Sequence, residues 1–429
     1  MRNEIYAKIK TRIGVFIMDY TFLLVQLSKK NIFGRWLCLC HRFFLSLLNI
    51  SFYPVESAVC YKDINPSCDI IPIKTGRMGY VTTPAFEVEK TNSKLEKRLL
   101  PDLNLYHFQN VIIQGDSDIV VDKLNGCVIN DYCYDLDSSV KFVDGLLYQL
   151  KSNICLIRSN FKHINKILQS GIMISGKFSR NYYHEILENL IKLVILDTLD
   201  IPNDVPIIVD SSVSDIPAFE FIFSKLSHNQ NREVVFLHPK DLCLVKELYT
   251  ISNVNIITPH LIGRSISKED IIFDIEIVIQ LKEKLLQWRS DDEYPKKIFL
   301  TRKNTNHRNF NEKEVIDLIK PMGFVEIAPE ELSFQQQMSI FNQANVIVGG
   351  TGAAFTNLMF ANQECKAMCV RPNVEGAPSV FSILAQMNGA SFLYYRSNET
   401  RQSDNIHSDY YVEPQKFADS LKKYLDYEG

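Results

Sequence analysis

Hydrophobic positions along this chain change period twice. Residues 13–27 and 33–53 are nearly continuous apolar runs, the first preceded by Arg2, Lys8, Lys10 and Arg12. They predict an apolar helical segment, followed by a connector that reaches residue 95. From about 100 to 170 the runs shorten. Asn110-Val111-Ile112-Ile113, Ile119-Val120-Val121, Cys127-Val128-Ile129 (after Asn125-Gly126) and Phe142-Val143 predict a β-rich stretch. Beyond residues 171–174, strands alternate with helices. Ile186, Leu187, Leu190, Ile191, Val194 and Ile195 form a helical stripe over 184–199. Strands are predicted at 205–209, 234–237, 254–257 and 298–300, and helices at 218–226 and 268–288.

The same rhythm continues to the end of the chain. Helix 311–322, with Asn309 or Asn311 as N-cap and Glu314 in its first turn, is followed by strand 324–327, helix 333–343 and strand 346–348. Helix 353–360, strand 366–370, helix 378–387, strand 391–395 and helix 414–427 complete it. Such alternation implies parallel sheets covered on both faces. The expected division is an N-terminal segment (1–95), one α/β domain (96–267), a second (268–413) and a closing helix (414–429), with a cleft between the two domains.

Composition changes little of this. A chain of 429 residues needs more than one ordinary core, and 46% hydrophobic with 23% charged residues is ordinary for a globular protein. A net charge of -3 excludes broad nucleic-acid binding, so any phosphate site must be local. The ten cysteines lack paired zinc spacing and read as buried thiols in a reducing compartment. In the N-terminal segment, Asp19 interrupts a signal-like pattern that has no small-residue cleavage site, and Arg35, His41 and Arg42 break the second run. Three readings stay open for residues 13–53: a buried helix, a peripheral membrane contact and a span.

Candidate chemistry concentrates at two strand ends. Strand 298–300 runs into Thr301, Arg302 and Lys303, with Arg308 nearby. Strand 346–348 runs into Gly349-Gly350-Thr351-Gly352-Ala353-Ala354 and a segment containing Asn357. Cations beside a glycine turn that opens a helix suit a phosphate, at the sheet edge where α/β proteins bind ligands. Arginine grips two phosphate oxygens, whereas lysine acts as a point charge. In isolation the cations could be a solvated turn, the glycines a steric necessity, and Asn357 a local cap. Glu331, Ser333 and Gln337 open the helix at the same edge, with Ser333 as its N-cap. His184 and Glu188 lie four apart on one helix face. Asp291-Asp292 reads as a solvated linker, and no strand-end Asp-x-Asp is read as a divalent-metal grip.

Several motifs occur in an order that resembles glycosyltransferase family 61. They are Arg302-x5-Arg308, Asn311-Glu312, Gly323-Phe324, Glu331-Leu332-Ser333-Phe334-x-x-Gln337, Phe341-x-x-Ala344, and Val348-Gly349-Gly350-Thr351-Gly352-Ala353-Ala354-x-Thr356-Asn357-Leu358-x-Phe360. Upstream, Asn181-Tyr182-Tyr183-His184-x3-Glu188 is similar to the family's Asn-Tyr-x-His-Trp-x-x-Glu element. The resemblance covers about 172–372. It departs at Thr351, where the family often has His, at Glu185 in place of Trp, and at Gln336 in place of Glu.

The resemblance implies a GT-B type fold, two Rossmann-like domains facing a cleft, with an inverting, metal-independent transferase activity and no cofactor. It implies a nucleotide-sugar donor, UDP-linked in the reading adopted, and a glycan or lipid-linked glycan acceptor. Arg302, Lys303, Arg308, Glu331 (toward the ribose), Ser333, Gln337, Gly349, Gly350, Thr351, Gly352, Ala353 and Asn357 would hold the donor. His184 or Glu188 would take the acceptor proton, with Asn181, Tyr182 and Tyr183 lining the acceptor side. A bacterial, cytoplasmic enzyme of capsule or lipopolysaccharide assembly, at the inner membrane face, fits the residue usage. The rival readings are an inactive GT-B-like scaffold and another nucleotide-binding α/β enzyme such as a sugar epimerase.

Overall fold

A computed structural model describes residues 53–55, 57–60, 68–90, 95–122, 127–130, 141–143, 147–150, 155–157, 164–227, 231–257, 261–262, 270–302, 308–373, 379–397, 399–400 and 408–427. The expectations for residues 13–52 and for Lys303 lie outside this set. Among the described residues, no helix is long and apolar enough to cross a membrane.

The chain is α/β. Its first sheet contains β1 (Ser57–Cys60), β2 (Cys68–Lys74), β3 (Leu103–Gln114), β4 (Val120–Asp122), β5 (Cys127–Asn130), β6 (Lys166–Met173), β7 (Ile207–Asp210), β8 (Val234–Leu237) and β9 (Leu242–Ile251). Their order is β8-β7-β6-β9-β3-β4-β5-β1, and β2 pairs along β3. The strands β8, β7, β6 and β9 run parallel, whereas β3 joins β9 antiparallel. The β-rich stretch up to Asp122 is therefore an antiparallel extension of the parallel sheet, whereas Phe142-Val143 belongs to a separate antiparallel sheet with residues 53–55, 147–150, 155–157 and 261–262. Residues 53–55, 57–60 and 68–74, expected as helix and connector, are strands. The pattern also missed β9, because Lys246 and Glu247 interrupt its apolar run. Six of its ten positions are nonetheless buried.

The second sheet contains β10 (Lys297–Leu300), β11 (Val325–Ile327), β12 (Val346–Gly350), β13 (Lys366–Arg371) and β14 (Ser391–Arg396). All its pairings are parallel, in the order β11-β10-β12-β13-β14. Alternation along each strand sends neighbours to opposite faces. Phe299, Val348, Met368 and Val370 pack against helices α3 (Glu312–Ile319) and α6 (Pro414–Asp426) through Val315, Ile319, Phe417 and Leu421. Ile298, Leu300, Ile347 and Ala367 face the other way, toward α4 (Phe334–Gln343) and α5 (Val380–Gln386). That second core is continuous with helices α1 (Pro217–Ser227) and α2 (Ile275–Leu286) and with Ile172 and Val209 of the first sheet. The two sheets thus share one apolar interior.

Local sequence fixes the helix ends. Ser333 Oγ accepts from Gln336 N–H at 3.2 Å, and Gln336 Oε1 accepts from Ser333 N–H at 3.0 Å, a reciprocal capping box. Asn311 stands at the N-cap of α3, but its side chain bonds Glu314 and Val412 instead of the helix amides. The helix expected over 184–199 is three pieces: a turn at Tyr182–His184, a π-helix at Glu185–Leu190 and an α-helix at Lys192–Leu196. The segment Ala353–Phe360 is a 3₁₀ helix.

Asp274 caps α2 by accepting from Ile277 N–H at 3.3 Å, and it also receives Arg77 Nε at 3.2 Å and Nη2 at 3.1 Å. Both side chains of this ion pair are 1% exposed. Asp274→Ala would remove from a buried guanidinium the carboxylate that it bonds twice, so it should cost about 3–5 kcal/mol of unfolding free energy in denaturant titration. A change below 1 kcal/mol would refute that assignment of the pair's weight.

Candidate functional site

The order β11-β10-β12 sets the first and third strands of the second sheet side by side. The connections leaving β10 and β12 depart in opposite directions, which opens a crevice beyond their carboxyl ends. A pocket of about 380 Å³ occupies it, large enough for part of a nucleotide. One wall is Leu300, Thr301 and Arg302, from the end of β10. The facing wall is Gly350, Gly352, Ala353 and Ala354, from the turn after β12. Pro329, Glu330, Gln337 and Tyr182 close the rest.

Close packing explains two of the glycines. A Cβ on Gly349 would stand 2.8 Å from the Leu300 carbonyl oxygen, and one on Gly350 would stand 2.9 Å from the Phe310 ring. Gly352 differs, because a Cβ there would meet only the Arg302 side chain at ordinary contact distance. Arg302 Nη1 donates to the Thr351 carbonyl at 3.3 Å, and Arg308 Nη1 reaches the same oxygen at 3.5 Å. Arg308 adopts a left-handed backbone with φ of 61°, a conformation that costs a non-glycine residue free energy. Burial and then the neighbouring Arg302 hold its pKa below the usual arginine range. Two guanidiniums are thus held together on long contacts to one carbonyl. An anion placed between them would relieve their repulsion.

The Thr351 side chain turns away from this pocket. It bonds the Cys369 thiol, whose pKa burial pushes up to about 12, while Thr351 N–H donates to the Val370 carbonyl at 2.7 Å. The position often occupied by His in family 61 therefore faces the strand ends beneath the turn in this chain. Glu331 is exposed and lies outside the pocket lining, which contains its neighbour Glu330. Ser333 is the exposed N-cap of α4. Gln337 and Asn357 are buried and bonded to each other, with Asn357 Nδ2 donating to Gln337 Oε1 at 2.9 Å. Gln336 closes the capping box through its carbonyl oxygen, a task that Glu performs equally.

The first sheet supplies the remaining groups. Asn181 Oδ1 accepts from Tyr183 N–H at 3.1 Å and fixes the turn that carries His184. The imidazole lies between Phe178 and Tyr183, at 4.8 and 4.2 Å between ring centroids. Its Nδ1 is 2.8 Å from Glu188 Oε1. The backbone passes from helical turn to π-helix at this pair, a local irregularity common at functional sites. The Glu188 side chain is only 6% exposed and His184 is 15% exposed. Burial raises the Glu188 pKa, with His184 opposing that rise. Tyr182, expected to line the acceptor side, belongs to the pocket wall around the glycine turn.

Three aspartates were missed by sequence reading. Asp116-Ser117-Asp118 directly follows β3, and Asp210 ends β7. The pattern is a strand-end Asp-x-Asp, the signal the sequence reading set aside. Its oxygens hold the loop after β6: Asp210 accepts from Gly176 N–H (3.0 Å) and Asp116 N–H (2.6 Å), Asp118 from Lys177 N–H (3.0 Å), and Asp116 from Ser179 N–H (3.0 Å). Burial lifts the Asp210 pKa to about 7. A loop whose amides already bond carboxylates is closed to phosphate.

The site is thus a switch-point pocket of a parallel sheet that joins a glycine turn to paired arginines. Residues 182–368, from Tyr182 to Met368, match the family model for Glycosyltransferase 61. Over this region, somewhat under half of its length, the chain is similar to glycosyltransferase family 61. The matched stretch contains His184, Glu188, the arginines and the glycine turn. No curated protein matches the chain.

Glu185, at the family's Trp position, is 2% exposed, and burial raises its pKa well above the carboxylate range, while Asn189 Nδ2 donates to it at 2.7 Å. An acid raised on folding binds more protons folded than unfolded, so its stabilisation is present at low pH and is lost as pH rises toward the folded pKa. Glu185→Gln keeps an oxygen for Asn189 and removes the titration. Its melting temperature should exceed that of wild type at alkaline pH, and the gap should close in acid. A pH-independent gap in thermal unfolding would contradict this. Ser333→Ala should cost about 1 kcal/mol of stability, without the loss of donor affinity that a phosphate ligand would produce.

Proposed function

We propose that the chain is an inverting, metal-independent GT-B glycosyltransferase. In this reading it moves a sugar from a nucleotide donor, UDP-linked in the working case, to a glycan or lipid-linked glycan in surface-polysaccharide synthesis. The observation that carries the proposal is the convergence of Arg302 and Arg308 on the glycine turn beside the β10–β12 crevice. The region 268–413 would be the donor half, closed by helix 414–429, and 96–267 the acceptor half. The free thiols of Cys68, Cys243, Cys365 and Cys369 fit a reducing, cytoplasmic location, at the inner membrane face if the acceptor is lipid-linked.

The chemistry follows from charge. The acceptor oxygen bonds to the anomeric carbon from the face opposite the leaving group. The bond from that carbon to the phosphate oxygen breaks, and its electron pair leaves with the nucleoside diphosphate. Arg302, Arg308 and the backbone N–H groups of Gly352 to Ala354 would stabilise the departing charge. His184 would take the acceptor proton on Nε2, since Glu188 engages Nδ1. The ionised Glu188 carboxylate then stabilises the imidazolium. Buried below the ring, Glu188 acts through His184, which makes His184 the base of this pair. Glu330 takes the ribose-facing role first given to Glu331, and Asn181 and Tyr183 remain on the acceptor side.

A thermal-shift screen of UDP-, GDP- and CMP-sugars should yield one class that raises the melting temperature. Arg302→Ala should weaken that donor roughly 10- to 100-fold, the scale of a lost charged hydrogen bond. His184→Ala should lower kcat by about 10²–10⁴ with donor affinity preserved. A wild type that binds no nucleotide sugar, or variants that transfer normally, would sink the reading.

A further inference from the structure

Tyr182 is the one side chain of the His184 turn that reaches into the lining of the β10–β12 pocket. Its hydroxyl donates to Asn357 Oδ1 at 2.8 Å and lies 3.2 Å from Gln337 Oε1. Asn357 Nδ2 donates to the same Gln337 oxygen at 2.9 Å, and Gln337 Nε2 donates to the Leu332 carbonyl at 3.2 Å. Asn357 is fully buried, and Gln337 is 7% exposed. The network thus joins three elements: the His184 turn, helix α4 and the 3₁₀ segment behind the glycines. Both partners of the Tyr182 hydroxyl are amide oxygens, so its single hydrogen is committed to the second sheet's side of the pocket.

The turn itself is stiff. Asn181 N–H donates to the Phe178 carbonyl at 2.8 Å, Glu185 N–H to the Asn181 carbonyl at 2.9 Å, and Tyr183 N–H to Asn181 Oδ1. His184 therefore cannot shift relative to Tyr182 without breaking this turn, and the Tyr182 ring is held by Phe219 with centroids 6.1 Å apart. We propose that the Tyr182–Asn357–Gln337 network is a positioning device that fixes His184 against the donor bound at the glycine turn. Tyr182 is then a positioning residue acting through His184, not an acceptor contact. The proposal rests on the donor-site reading above. Its physical content is that a base misplaced by about 1 Å forfeits a large part of its rate advantage.

Tyr182→Phe in the full chain tests it, because the ring packing stays and only the hydroxyl is lost. The probe is UDP, with hydrogen exchange of residues 183–190 followed beside kcat and KM. In wild type, UDP should slow exchange across 183–190. In Tyr182→Phe, UDP should still bind within about threefold of wild type, the slowing should vanish, and kcat should fall roughly 10- to 100-fold at little-changed KM. A double-mutant cycle with Gln337→Ala should be non-additive in kcat. Unchanged kcat and unchanged UDP-dependent protection in Tyr182→Phe would overturn the proposal, as would a loss of UDP binding beyond tenfold, which would make Tyr182 a donor ligand. A wild type unresponsive to UDP, GDP and pyrophosphate overturns the donor-site reading instead, and this proposal with it.

Discussion

Strand order is the constraint on which this site depends. Because β11 lies outside β10 while β13 lies outside β12, the chain segments leaving β10 and β12 separate, and a crevice opens between their ends. Gly349 and Gly350 let those strands and Phe310 approach closely enough for the crevice to be narrow. Arg302 and Arg308 then need no long reach to meet the turn. The same topology explains why the pocket wall combines residues far apart in sequence, from Leu300 to Ala354, with Tyr182 contributed by the first sheet's side.

The two sheets treat equivalent strand ends in opposite ways. After β6, backbone amides bond the carboxylates of Asp116, Asp118 and Asp210. After β12, the turn faces a pocket with guanidiniums across it. A carboxylate-filled loop is rigid and repels a second anion, whereas the arginine-lined one attracts it. The paired guanidiniums thus stand at one half of the crevice system, and the carboxylates stand beside the turn that carries His184. The shared apolar interior, running from Ile172 to Phe392, keeps the halves in fixed relation.

Much of this was legible in the chain itself. Continuous apolar runs such as Val346 to Val348 marked the buried parallel strands, since both faces of such strands are covered. The glycine turn, the arginines and the His184–Glu188 pair were visible as motifs, and Residues 182–368 carry the family match. What was not legible depends on three-dimensional contacts. Strand β9 was hidden because Lys246, partly buried, and Glu247, exposed, interrupt its apolar run. That the exposed Glu330 lines the pocket while the exposed Glu331 does not follows from a single 3₁₀ turn at Pro329–Glu331, which sends neighbouring residues in different directions. The π-helix at Glu185–Leu190 has no simple hydrophobic signature, because its stripe differs only slightly from an α-helical one. Tyr182 read as an acceptor residue because sequence adjacency to His184 says nothing about which wall its ring enters.

The central claim is that a nucleoside diphosphate binds between the paired arginines and the glycine turn. A crystal structure with UDP bound tests it most directly. The account predicts diphosphate oxygens within hydrogen-bond distance of the Arg302 guanidinium and of the backbone N–H groups of Gly352 to Ala354. UDP bound at the Ser175-to-Ser179 loop, or seated in the crevice with its phosphates turned away from Arg302, would contradict it.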